Sequence, residues 1–273
     1  MGALHEGHLS LVERARRENA SVVASIFVNP LQFGPVEDFE RYPRAFARDA
    51  DLLAAQGVEL LYAPAVERMY PPHFAASIAV GPLADVFEGA RRPGHFAGVA
   101  TVVAKLLHAI EPTSLYLGQK DAQQAAVLRA MIRDLDMATN VVVAPTAREP
   151  DGLARSSRNV YLTPAERAAA PSLHRALRAI ASAVEGGAYD AATVLAAGGA
   201  LLEAPLVWDY LAIVDPVTFA ERDPLAVPAL ALGVARAGAT RLLDNVPIAG
   251  ADGVLPFVTP ERAVERDTER ARR

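Results

Sequence analysis

Four short runs of nearly uninterrupted apolar residues mark the first half of the chain: Val22–Val28, Glu59–Ala63, Ser114–Gly118 and Asn140–Pro145. A strand covered on both faces has this continuous pattern, whereas a half-exposed strand alternates. Between the runs lie amphipathic stretches. Val99, Val102, Val103, Leu106, Leu107 and Ile110 recur at helical spacing, as do Leu128, Met131, Ile132 and Leu135. Another helical pattern starts near His8, with Leu11, Val12 and Ala15 on one side. Strand alternating with helix predicts βαβ units and an α/β fold built on a doubly wound parallel sheet.

The pattern changes after about residue 150. Ala165–Glu185 reads as a helix, with Thr163 as N-cap and Pro164 at the first helical position. An Ala-rich helix over Asp190–Glu203 follows, then strands at Trp208–Val214 and Arg241–Ile248. Helices followed by strands predict a smaller α+β domain. Its boundary falls in Arg148–Arg155, where Pro150, Asp151 and Gly152 form a turn-rich link. The expected organisation is a domain over 1–150, a second over 151–262 and a charged, frayed tail over 263–273.

Composition narrows this frame. The 273 residues are 52% hydrophobic, enough for a full core. The 27 basic and 32 acidic side chains leave a net charge of −5, which argues against broad nucleic-acid binding but not against a local basic pocket. Without cysteine there is no disulfide or thiolate metal site, and a reducing cytoplasm is expected. The chain opens with no basic segment leading into an apolar stretch, and no apolar run approaches membrane-spanning length.

Candidate chemistry begins in the first ten residues, MGALHEGHLS. His5 and His8 bracket Glu6-Gly7 at the start of a helical pattern. There the free backbone N–H groups and the helix dipole favour an anion, and a glycine admits close approach of a phosphate. Histidines on either side could donate to oxygens that gain charge in a transition state. A polar helix start explains the same residues, and a zinc pair lacks a third ligand at recognisable spacing. Three further clusters follow strand ends or turns. IFVNPLQFG places Asn29 and Gln32 just beyond a strand, where open α/β sheets bind ligands. LYLGQKDAQQ offers Lys120 for phosphate, Asp121 for a metal or ribose, and the amides of Gln123 and Gln124. DGLARSSRN brings two serines and two arginines after a glycine turn, in the manner of a phosphate-seeking loop. Each cluster alone also reads as an ordinary turn, helix start or linker.

Together with the PGHFAGVATVV stretch, these segments resemble the pantothenate synthetase (pantoate–β-alanine ligase) family in order and spacing, from Met1 to about Pro260. That family belongs to the nucleotidylyltransferase superfamily, whose members carry a HIGH-like motif. The resemblance implies a Rossmann-like sheet with a C-terminal α+β domain. It also implies ATP-dependent condensation of D-pantoate with β-alanine through a pantoyl adenylate, with Mg²⁺, in a cytoplasmic homodimer. By similarity, the nucleotide is met by Met1, Gly2, Ala3, Leu4, His5, Glu6, Gly7 and His8, by Gly118, Gln119, Lys120 and Asp121, by the Ala147 backbone, and by Arg155, Ser156, Ser157 and Arg158. The catalytic set is His8 (the family's proton donor), His5, Lys120, Ser156, Ser157 and Arg158. Gln32 and Gln124 match the pantoate amides, with Gln32 also near β-alanine and Asn29 assisting; Asp121 falls on the ribose or near the metal, and Asp49 is a metal or β-alanine candidate.

The chain departs from the family pattern in three places. Arg155 stands where Met or Leu is usual, and Ala122 where Tyr or Phe is usual. The family also carries an upstream segment with the first β-strand. A sheet without that strand loses ladder bonds at about 1–3 kcal/mol per unpaired buried group, so poor folding or weak activity is the expectation for the chain as written. Two other classes of function stay open on sequence alone: a different nucleotidyltransferase, and a non-catalytic paralogue that binds nucleotide.

Overall fold

The computed structural model describes residues 2–34, 39, 40, 42, 44–249 and 259. Met1 and the tail over 263–273 lie outside the described residues. The first half runs α1 (Glu6–Glu18), β1 (Val23–Ser25), α2 (Phe46–Ala55), β2 (Leu60–Tyr62), α3 (Val66–Met69), α4 (Glu88–Arg91), α5 (His95–Ile110), β3 (Ser114–Gly118), α6 (Ala122–Asp134) and β4 (Asn140–Ala144). The second half runs α7 (Pro164–Ala169), α8 (Pro171–Glu185), α9 (Ala191–Gly199), β5 (Val207–Val214), β6 (Ala229–Ala237) and β7 (Thr240–Ile248).

The strands of the first half pair in parallel, as the continuous apolar runs predict. Val23 lies opposite Leu60 in the β1–β2 ribbon, and Ser114 opposite Asn140 in the β3–β4 ribbon. The two ribbons are separate: among the described residues no ladder joins β1 to β3. The ladder of β1 covers only Val23–Ser25 of the expected Val22–Val28, and a single further bond carries it on, from Ile26 N–H to the Tyr62 carbonyl at 3.0 Å. The amphipathic segments became α5 and α6, which pack on each other through Val99, Ala100, Leu107, Leu128 and Met131.

The second half holds an antiparallel sheet of order β5-β6-β7. The central strand was not visible in the sequence. Its residues, ALALGVARA, look like part of an Ala-rich helix, yet all but Arg236 are buried. The reason is its two-sided cover. Ala229, Ala231, Ala235 and Ala237 pack in the core beneath α8, where small side chains let the helix approach. Leu230 and Leu232 point the other way, into a core shared with Ala122 and Ala126 of α6. The expected helix over Ala165–Glu185 is two helices, because Pro171 has no N–H to continue the first. α9 stops at Gly199, short of Glu203, after Gly198-Gly199.

Candidate active site

His5 caps α1 and closes a reciprocal box with His8. The Nδ1 of His5 accepts from the Gly7 N–H at 3.1 Å, and the Nδ1 of His8 accepts from the His5 N–H at 3.3 Å. The box therefore fixes a tautomer. In a neutral imidazole one nitrogen accepts and the other donates, so each ring keeps its proton on Nε2. The rings lie 4.1 Å apart. His8 is held at about 3, chiefly by burial and then by its neighbour His5. His5 is also lowered, by burial first and then by Lys120 and Arg155. At neutral pH both rings are uncharged hydrogen-bond donors.

Ahead of the helix, Gly2 has φ +100° and Ala3 φ 53°, so the chain turns sharply before His5. Asp49, on α2, holds that turn: its carboxylate accepts from the Ala3 N–H at 2.7 Å and the Leu4 N–H at 2.9 Å. With both oxygens bonded and the residue 1% exposed, the structure gives this metal candidate an anchoring task.

The strand end after β3 forms a single 3₁₀ turn over Gln119–Asp121, which carries Lys120 and Asp121 between β3 and α6. Gly118 closes β3. The link after β4 doubles back, with Arg148 bridged to Ala154 and the Arg155 N–H bonded to the Ala147 carbonyl at 2.9 Å. This brings Arg155 to Glu6, with an N–O distance of 2.5 Å. Ser156 then caps a 3₁₀ turn over Ser157–Tyr161 by accepting from the Arg158 N–H. Lys120, Asp121, Ser156 and Arg158 line one cleft of about 940 Å³. His5 and His8 are not part of its lining, although the charges of Lys120 and Arg155 reach His5.

Gln124 lines a smaller adjoining cavity of about 60 Å³ together with Lys120, Asp121, Arg92 and His95. Gln123 turns inward and is spent on the Leu83 and Val86 carbonyls and the Glu88 N–H. The other amide pair sits on the turn Pro30–Gln32, which Asn29 caps. Asn29 Oδ1 accepts from Tyr70 Oη at 2.7 Å and from the Leu31 N–H, while its Nδ2 donates to the Gly98 carbonyl and to Gln32 Oε1 at 3.1 Å. Gln32 is thereby oriented with Nε2 as its donor. Its backbone carbonyl accepts from His95 Nδ1 at 2.8 Å and Arg92 Nη2 at 3.3 Å. His95 and Arg92 thus connect the Gln32 turn to the cavity of Gln124. The sequence reading assigned no role to either, although His95 stands in the PGHFAG segment.

Among the described residues no three His, Cys, Asp or Glu side chains converge on a metal-sized site. Asp121, exposed beside Lys120, is a lone carboxylate of the kind that shares a magnesium ion with substrate phosphates. The departures are also placed. Arg155 pairs with Glu6, and Ala122 is buried in the core with Phe219 and Leu232.

Comparison with known proteins agrees with this layout. The sequence profile of the pantoate-beta-alanine ligase family matches residues 1–247. The pantothenate synthetase of Chloroflexus aurantiacus is 52% identical over 249 residues, 90% of this chain and 88% of that protein. The one from Acidiphilium cryptum is 53% identical, over 91% of this chain and 89% of its own length. Among solved structures, the Thermus thermophilus enzyme superposes with a TM-score of 0.88 at 52% identity, covering 91% of each chain. The Francisella tularensis pantoate-beta-alanine ligase, complexed with beta-gamma ATP and beta-alanine, gives 0.74 at 33% identity, over 90% of this chain and 87% of that one. With the family profile matching residues 1–247 and relatives about 52% identical over nine-tenths of the chain, the chain belongs to the pantoate–β-alanine ligase family.

Proposed function

We infer that this site joins D-pantoate to β-alanine at the expense of ATP. The observation that carries the reading is the pair of box-locked histidines at the α1 N-terminus, with Lys120 and Arg155 close enough to depress His5. The pantoate carboxylate attacks the α-phosphorus of ATP and pyrophosphate leaves. The β-alanine amine then attacks the acyl carbon, and AMP leaves as pantothenate forms. Such chemistry needs alignment and neutralisation of charge more than proton transfer. Gly2–His8, Gly118–Asp121, Ala147 and the Arg155–Arg158 loop are assigned to the nucleotide, as is Met1, by resemblance alone. Lys120, Ser156, Ser157 and Arg158 supply donors to the phosphates. His5 and His8 donate through Nε2–H; the charge of a bound triphosphate would raise their proton affinity. Gln32 and Gln124 are assigned to pantoate, with Asn29 holding Gln32 in place. Asp121 is assigned to Mg²⁺, which would screen the phosphate charge. The neighbour complexed with beta-gamma ATP and beta-alanine supports both ligands for this fold.

The same reading takes 1–150 and 151–262 as its two domains, a homodimer as its assembly and the cytoplasm as its compartment. No described helix is long and apolar enough to cross a membrane. The test is pyrophosphate release from ATP and Mg²⁺ with and without pantoate. Release that requires pantoate is expected. Release indifferent to pantoate would make the chain a different nucleotidyltransferase, and no release under either condition would favour a binding role.

A further inference from the structure

β7 interrupts its apolar run, RLLDNVPI, with Asp244 and Asn245, each 2% exposed. Buried polar groups are costly unless bonded, so their partners show what they hold. Neighbouring positions on a strand face opposite sides. Asn245 reaches the first nucleotide segment: its Nδ2 donates to the carbonyls of Gln119 and Lys120, both at 3.0 Å, and its Oδ1 accepts from Gln119 Nε2 at 2.8 Å. Asp244 reaches the root of the other: its oxygens accept from Arg148 Nη1 at 2.6 Å and Nη2 at 2.9 Å, with His174 Nδ1 at 3.4 Å. Arg148 in turn donates to the Gly152 carbonyl at 3.1 Å, inside the link that leads to Arg155–Arg158. One dipeptide of the C-terminal sheet therefore grips one segment assigned to the phosphates and the root of the other.

We propose that Asn245 and Asp244 are positioning residues for ATP. Asn245 sets the 3₁₀ turn that presents Lys120 and Asp121, and Asp244, through Arg148, sets the root of the serine–arginine loop. Their polar atoms are committed to these segments, so each acts on the nucleotide through what it holds. The inference deepens the ligase reading and rests on it for the identity of the ligand.

The experiment compares the wild-type chain with Asn245→Ala and with the isosteric Asp244→Asn, in case the first fails to fold. Calorimetric titration with ATP and Mg²⁺ is run beside the pantoate-dependent kinetics. The expected result is KM and Kd for ATP raised roughly tenfold, with KM for pantoate changed less than about twofold. Asn245→Ser, which keeps a hydroxyl for one carbonyl, should fall between wild type and Asn245→Ala. If the variants lose only thermal stability or active fraction, with ATP affinity unchanged, the dipeptide is mere packing and the proposal fails. If the wild type binds ATP without pantoate-dependent turnover, the ligase reading fails, and the titration alone still decides the role of Asn245 and Asp244.

Discussion

At the scale of single residues, the site is built from side chains whose protons are placed by backbone groups. His8 is the sharpest case. Its Nδ1 is committed to the His5 N–H and its ring is pushed down to about 3 by burial, so the neutral Nε2–H form dominates. A nitrogen-detected NMR spectrum at about pH 5.5, a unit below the ordinary histidine value, should show His8 uncharged with the proton on Nε2. A charged imidazolium there would sink the assignment. The linkage has a sign. The unfolded chain binds this proton more tightly than the folded one, so the contribution to stability is complete above about pH 6.5. It is lost as pH falls from there toward 3. The sequence showed two histidines around a glycine, and even the helix start. It could not show that the helix cap consumes one nitrogen of each, because capping geometry depends on φ and ψ at His5.

At the scale of elements, legibility followed the hydrophobic pattern. β3 was read to the residue, and β4, β5 and β7 to within one, because their runs are bounded by turn residues. β6 was missed because its small side chains serve tertiary cover on two faces, which no local preference encodes. The break at Pro171 was legible in principle. Elements also meet by close approach of backbone. A Cβ on Gly98 of α5 would stand 2.2 Å from the Leu31 carbonyl oxygen and 2.5 Å from its carbon, inside the turn that carries Gln32. Backbone cannot swing aside as a side chain can. Gly98→Ala is therefore expected to destabilise the chain by about 3 kcal/mol in denaturant unfolding. At Gly118 an added Cβ meets nothing within 4 Å, so Gly118→Ala should change stability by less than about 0.5 kcal/mol. Equal effects at the two glycines would show that the α5 contact can relax, and that Asn29 is not braced by the Gly98 carbonyl as described.

At the scale of the molecule, the halves are tied together more tightly than a turn-rich link at Arg148–Arg155 suggests. α6, from the first half, shares a core with β5 and β6 through Ala122, Ala126, Ala212, Val214, Leu230 and Leu232. Around that core, Arg241 of β7 binds Glu88 of α4 through both terminal nitrogens, at 2.8 and 2.6 Å, and also reaches Asp209 of β5 at 2.7 Å. The ion pairs are partly exposed and fix orientation more than they stabilise; the apolar contact supplies the coupling. Two halves joined through a shared core should lose structure together, so the calorimetric trace should hold a single transition. Leu230 is fully buried at the centre of that contact. Leu230→Ala should lower stability by about 2–5 kcal/mol and move the whole transition down without splitting it. Two resolved transitions in the wild type would mean that the halves fold independently. The grip of Asp244 and Asn245 on the Gln119–Lys120 turn and on Arg148 would then bridge two separately stable bodies. A single transition makes that grip part of one cooperative unit, in which the C-terminal sheet sets the turn of Lys120 and the root of the Arg155–Arg158 loop by the act of folding.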